Sequence, residues 1–178
     1  MINRIELAQY FTSQGFRIGA EVGVADGRYS EILCNNIPDL KLYCIDPYIT
    51  YNENSQDGNQ QQQNKCEEIA KRRLGKFNIT FIKEFSTNAL KFLNEELDFV
   101  YIDANHKFDY VMTDIILWSK KVKSGGIVAG HDYWSIRDFG VKDAVDAYTK
   151  AHHIELNIIE GEKSRRLSQA APNWWFIK

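Results

Sequence analysis

The stretch Glu21-Val22-Gly23-Val24-Ala25-Asp26-Gly27 decides how this chain is read. An apolar run over residues 17 to 24 ends in it, and an amphipathic run begins near Arg28. Its two glycines therefore fall where a buried strand turns into a helix. Glycine lets the backbone pass close to a ligand with no Cβ in the way, and the helix that follows offers unpaired N–H groups at its positive end. A second apolar run, Leu42-Tyr43-Cys44-Ile45, ends at Asp46. In a nucleoside-binding α/β sheet, a carboxylate ending the second strand accepts hydrogen bonds from the ribose hydroxyls. Order and spacing together predict a nucleoside cradle. The Gly-x-x-x-Gly spacing does not fit the Gly-x-Gly-x-x-Gly of a dinucleotide site.

Composition sets what the cradle can belong to. With 178 residues, 44% hydrophobic and 26% charged, the chain suits one sizeable core and is short for two, so residues 1–178 are read as a single domain. A formal net charge of −2 gives no basic footprint for duplex nucleic acid. No run of 18 apolar residues is present, and Met1-Ile2-Asn3-Arg4 lacks the apolar core of a signal peptide, so a cytoplasmic protein with no membrane partner is expected. Cys34, Cys44 and Cys66 have no metal-site spacing and read as reduced core thiols.

Leu7, Tyr10 and Phe11 predict a first helix closed by Gly15. After Pro47, residues Tyr51 to Asn64 hold almost nothing that could be buried, and a mobile polar loop beside the ribose site is expected there. Asn64 with Glu67 reads as a capping box for the next helix, which ends at Gly75. Strands follow at Asn78–Lys83 and Leu97–Ile102, with a helix between them from Ser86. Val111, Ile115, Trp118 and Val122 form a helical core stripe, Gly125-Gly126 turns into a strand over Ile127–Gly130, and Val141 to Tyr148 mark the last long helix. Ile154–Ile159 and Trp174–Ile177 close the chain as extended segments, and at most one of Trp174 and Trp175 is expected to face a core.

Alternating strands and helices predict a doubly wound, Rossmann-like and mainly parallel sheet. Ligands bind such sheets at the carboxyl ends of the strands. The strand-end residues are Gly23, Asp46, Glu84, Asp103, His131 and Asp132, and five of these six can ionise or coordinate. Carboxylates grouped at one mouth need exposure or a cation to balance them.

These motifs carry a resemblance: Glu-Val-Gly-Val-Ala-Asp-Gly, Cys-Ile-Asp-Pro-Tyr, Val-Tyr-Ile-Asp-Ala-Asn-His and Lys-Ser-Gly-Gly-Ile-Val-Ala-Gly-His-Asp-Tyr. From about residue 17 to Lys178 the chain resembles the class I S-adenosylmethionine-dependent methyltransferases. It is similar in particular to the macrolide sugar O-methyltransferases and, more distantly, to the catechol and caffeoyl-CoA enzymes. The resemblance implies seven strands with the last antiparallel. It implies cofactor contacts from Glu21, Gly23, Gly27, Asp46, Pro47, Tyr48, Glu84, Phe85, Ser86 and Asp103. It also implies a divalent ion, Mg2+ or Mn2+, on Asp103 and Asp132 with His131.

The expected function is methyl transfer to an oxygen of a small molecule, with Asp103 and His106 catalytic. His106 has an ordinary pKa near neutrality, which suits a general base. Metal-independent transfer to oxygen or nitrogen with His106 as base, and a non-catalytic nucleoside-binding module, are the alternatives. Tyr133, Trp134 and Phe139 could wall the acceptor, Lys71-Arg72-Arg73 reads as a solvated helix face, and a homodimer is expected to complete the acceptor site.

Overall fold

The structure is a computed structural model that describes residues 3–50, 59–134, 139–161 and 171–178. The first helix, α1 (Arg4–Ser13), is capped by Asn3, whose side chain accepts from the backbone N–H groups of Ile5 and Glu6. Strand β1 (Ile18–Val22) leads through the glycine loop into α2 (Arg28–Asn36), then β2 (Lys41–Ile45), α3 (Gln60–Leu74) and β3 (Ile79–Ile82). A short α4 (Ser86–Ala89) and a 3-10 turn precede β4 (Leu97–Ile102), α5 (Phe108–Ser119) and β5 (Val122–Gly130). The chain closes with α6 (Val141–Ala151), β6 (Asn157–Ile159) and β7 (Asn173–Ile177).

The strand order is β3-β2-β1-β4-β5-β7-β6, with β7 antiparallel to both neighbours and the other pairings parallel. This is the doubly wound seven-stranded sheet that the motifs imply. Two cores flank it. On one face, Leu7, Phe11, Leu33 and Leu74 of α1, α2 and α3 pack on Leu42, Phe99 and Tyr101. On the other, Ala89, Ile115, Trp118, Ala144 and Val145 of α4, α5 and α6 pack on Val22, Val100, Val128 and Phe176.

Hydrogen-bonded pairing runs past the last residues of the central strands. Gly23 N–H donates to Ile45 O (2.9 Å), Asp103 N–H to Val22 O (2.8 Å) and His131 N–H to Ile102 O (3.1 Å). The first residues beyond β1, β4 and β5 therefore share one edge. At Gly23 (φ +93°) a Cβ would lie 2.0 Å from the carbonyl oxygen of Asp103, so only glycine permits this approach.

Four expectations need correcting. Helix α3 begins at Gln60 with Asn59 as its cap, its side chain accepting from Gln62 N–H at 3.0 Å, so residues 60 to 64 are helical and Asn64 is no cap. Glutamine is a good helix former, and the absence of an apolar stripe concealed this turn. Residues 51–58 of the expected loop lie outside the described residues, as do 162–170 of the closing polar stretch.

Val122 belongs to β5, where it pairs with Leu97, and the helical stripe stops at Trp118. Gly125-Gly126 sits inside β5, where the register shifts between Leu97 and Phe99, so the glycines form a bulge rather than a turn before the strand.

Trp174 and Trp175 are both buried, at 0% and 8% exposure, one in each core, because β7 has a helix layer over both of its faces. We therefore expect Trp174→Ala and Trp175→Ala each to cost about 3–5 kcal/mol of stability. Urea denaturation measures this, and a near-neutral Trp175→Ala would contradict the two-core packing.

Candidate active site

The glycine loop is held from two sides. From β2, the Asp46 carboxylate accepts from the N–H groups of Val24 (3.0 Å), Ala25 (2.9 Å) and Tyr48 (2.8 Å). Ala25 and Tyr48 adopt left-handed φ of 47° and 50°, a conformation these residues hold only when the surroundings fix it. Tyr48 is 3% exposed and donates its hydroxyl to Ala25 O at 3.1 Å. It thus braces the loop from inside. Pro47 lies between these two anchors.

From α3, Arg73 donates to Asp26 O and pairs with the Asp26 and Glu31 carboxylates at 3.2 and 3.4 Å. This corrects the reading of residues 71–73 as a solvated face: Lys71 and Arg72 are exposed, and Arg73 is a half-buried clamp. Gly27 (φ +77°) caps α2 where a Cβ would lie 3.0 Å from Leu74 Cδ1, so the packing of α3 accounts for its being glycine.

Glu21 is 2% exposed and shares a hydrogen bond with the Ser30 hydroxyl. Burial pushes its pKa up to about 8, against the lowering effect of Ser30. At neutral pH it is mainly a neutral acid. On the other side of the edge, Glu84 accepts from Asn88 Nδ2 at 3.3 Å, Phe85 is 41% exposed, and Ser86 hydrogen-bonds the buried Asp114 of α5.

The central group is built from the residues after β4 and β5. Asp103, His131 and Asp132 bring one ligand atom each to within 4.8 Å of one another. His131 Nδ1 lies 3.2 Å from Asp132 Oδ1 and 3.7 Å from Asp103 Oδ1. His106 Nε2 lies 3.0 Å from Asp132 Oδ2 and 3.6 Å from Asp103 Oδ1. Neither contact has hydrogen-bond alignment, and this shielded nitrogen has no hydrogen-bond partner among the described residues. Asp132 adopts a left-handed φ of 55°, and Trp174 Nε1 donates to His131 O at 3.2 Å, so the strained turn is braced from β7.

Burial opposes charging His106, yet the carboxylates of Asp103 and Asp132 outweigh it and push its pKa up to about 9. Burial likewise opposes charging Asp132, but His106 and His131 hold that carboxyl well below its ordinary range. Phe139 stacks on the His106 ring at 4.7 Å, and Gly140 N–H donates to His106 O. Phe139 therefore covers His106. Tyr133 turns towards α6 and hydrogen-bonds Asp146, while Trp134 is half-buried beside the group.

The strand-end residues are legible in the sequence, whereas Arg4 and Ser30 reach the site from helices and carry no motif, and Arg73 reads as solvated. The Ser30 signal was readable: a serine one turn into α2 can face back to the end of β1.

A family model described as a methyltransferase domain matches residues 20–133, more than half of the sequence. The chain belongs to this methyltransferase family. Among solved structures it is similar to an O-methyltransferase from Bacillus cereus in complex with SAH, at TM-score 0.72 and 12% identity over 98% of this chain and 80% of that one. It is similar to the O-methyltransferase TomG of Streptomyces achromogenes, involved in tomaymycin synthesis and solved with SAM, at TM-score 0.70 and 15% identity over 98% and 79%. An rRNA methylase from Streptococcus thermophilus matches at TM-score 0.68 and 14% identity over 100% and 98%. At these identities the likeness reports the fold. No curated protein matches the sequence. Among the described residues, no helix is long and apolar enough to cross a membrane.

Folding stability should carry the mark of Glu21. In the unfolded chain its carboxyl loses its proton near 4.5, and in the folded protein near 8. The folded state binds the extra proton between these values, so this contribution to stability falls as pH rises through that window. Glu21→Gln should flatten that fall by on the order of 2–3 kcal/mol in urea denaturation between about pH 5 and pH 8. An unchanged pH slope in the variant would count against the buried neutral acid.

Proposed function

We propose that this methyltransferase uses S-adenosylmethionine to methylate an oxygen of a small molecule with the help of a divalent cation. The observation that carries the reading is the convergence of Asp103, His131 and Asp132 beside the glycine loop, with His106 Nε2 aimed at the same group.

The residues suit both ligands. In this reading Asp46, which holds the loop through three N–H groups, also stands at the ribose. Pro47, Glu84, Phe85 and Ser86 border the adenine in this reading, with Tyr48 supporting the loop beneath. A sulfonium cation is favoured beside Asp103. Two carboxylates and an imidazole suit Mg2+ or Mn2+, and a nitrogen donor favours the latter.

S-adenosylmethionine supplies an electrophilic methyl group. A divalent ion at this group would lower the pKa of an acceptor hydroxyl. The chain's own task is positioning, which accounts for much of the rate in a substitution that must align three atoms. Asp103 sits one residue beyond β4, against the cofactor loop through its contact with Gly23, and so couples the cofactor end to the acceptor end. His106 in the protein alone holds its proton up to about pH 9. It becomes a better base as a bound cation neutralises Asp103 and Asp132. Phe139 covers His106 and limits water there.

Methyl transfer from labelled S-adenosylmethionine to a panel of vicinal diols, sugars and catechols tests this, with and without Mg2+ or Mn2+. Asp132→Ala and His131→Ala should each lower ion-stimulated transfer by roughly 10- to 100-fold while leaving S-adenosylhomocysteine affinity nearly unchanged. Full ion-stimulated activity in Asp132→Ala would refute the metal reading.

A further inference from the structure

We propose that Arg4 binds the carboxylate at the amino-acid end of the cofactor and thereby selects S-adenosylmethionine over analogues that lack it. This inference rests on the methyltransferase reading above. Arg4 opens α1, where the side chain of Asn3 caps the helix. Its guanidinium hydrogen-bonds the Tyr101 hydroxyl and lies over the Tyr29 ring at 5.3 Å. Its charge is felt by Asp103 just beyond β4 and by Glu21 in β1. A helix without any cofactor motif thus delivers a cation to the ligand-binding edge of the two central strands.

The head group is held in place before any ligand arrives. Tyr101 and Tyr29 are buried, and Tyr101 donates in turn to Asn173 Oδ1 at 2.5 Å, which ties Arg4 through β4 to the start of β7. Fixing a free arginine costs about 2 kcal/mol of rotamer entropy, a cost that these partners meet during folding. Arg4 also lines a cavity of about 270 Å3 with Asn3, Ile5, Glu160 and Asn173, beside the strand ends.

The cofactor's amino-acid end is a zwitterion, and the charges here match it. The planar guanidinium fork suits a carboxylate, which it can hold by two parallel hydrogen bonds. The Asp103 carboxylate suits the ammonium group, and the neutral Glu21 offers it a hydrogen-bond acceptor. Asp103 is itself faced by His106 and His131 at 3.6 and 3.7 Å, so its charge is shared with the metal-ligating group.

The test compares S-adenosylmethionine with decarboxylated S-adenosylmethionine, which keeps the adenosine, sulfonium and ammonium groups. Binding of each is measured by calorimetry in the unaltered protein, Arg4→Met and Arg4→Lys. The unaltered protein should prefer the intact cofactor by roughly 10- to 100-fold. Arg4→Met should abolish that preference while binding the decarboxylated analogue as the unaltered protein does, and Arg4→Lys should restore part of it. A preference unchanged in both variants, or an equal loss of affinity for both ligands, overturns the inference and leaves the methyltransferase reading standing. Binding of neither ligand by the unaltered protein overturns both.

Discussion

The site depends on one carboxylate. Asp46, at the end of β2, gathers three backbone N–H groups, two from the loop after β1 and one from its own turn. Hydrogen bonds to a charged acceptor are worth about 1.5–3 kcal/mol each, enough to offset the cost of left-handed backbone at Ala25 and Tyr48. Without this anchor the loop would keep the Arg73 clamp and the Tyr48 hydroxyl bond to Ala25 O but lose these three bonds. The residue that ends β2 is thus also the one that shapes the loop after β1.

A second constraint joins the glycine loop to the Asp103–His131–Asp132 group. Gly23 and Asp103 meet backbone to backbone, so no side chain fits between the glycine loop and the residue after β4. The turn at Asp132 is braced by Trp174 from the antiparallel strand β7. Burying Trp174 and Trp175 in opposite cores therefore serves the site as well as stability. In this chain the last strand is more than a sheet extension: it braces the turn that carries His131 and Asp132.

Much of this was legible in the sequence, for physical reasons. Strand ends announce themselves where an apolar run stops at a glycine or a carboxylate, and Gly23, Asp46, Asp103 and Gly130 all do so. Elements lacking that contrast were misread. The first turn of α3 is glutamine-rich and shows no buried stripe, Val122 continues a helical spacing by coincidence, and Gly125-Gly126 looks like a turn although it is a bulge within β5. Arg4 does not stand out in the sequence and Arg73 reads as solvated because a charged residue on a helix is solvated by default, and only tertiary packing turns these two inwards.

Titration calorimetry of the unaltered protein with S-adenosylhomocysteine, first without added metal and then with Mg2+, tests the account most directly. The account predicts one site of about micromolar affinity in both conditions, since Asp46 shapes the loop before any ion is bound. A folded protein that binds no S-adenosylhomocysteine in either condition would contradict it and return the cradle to an unassigned ligand.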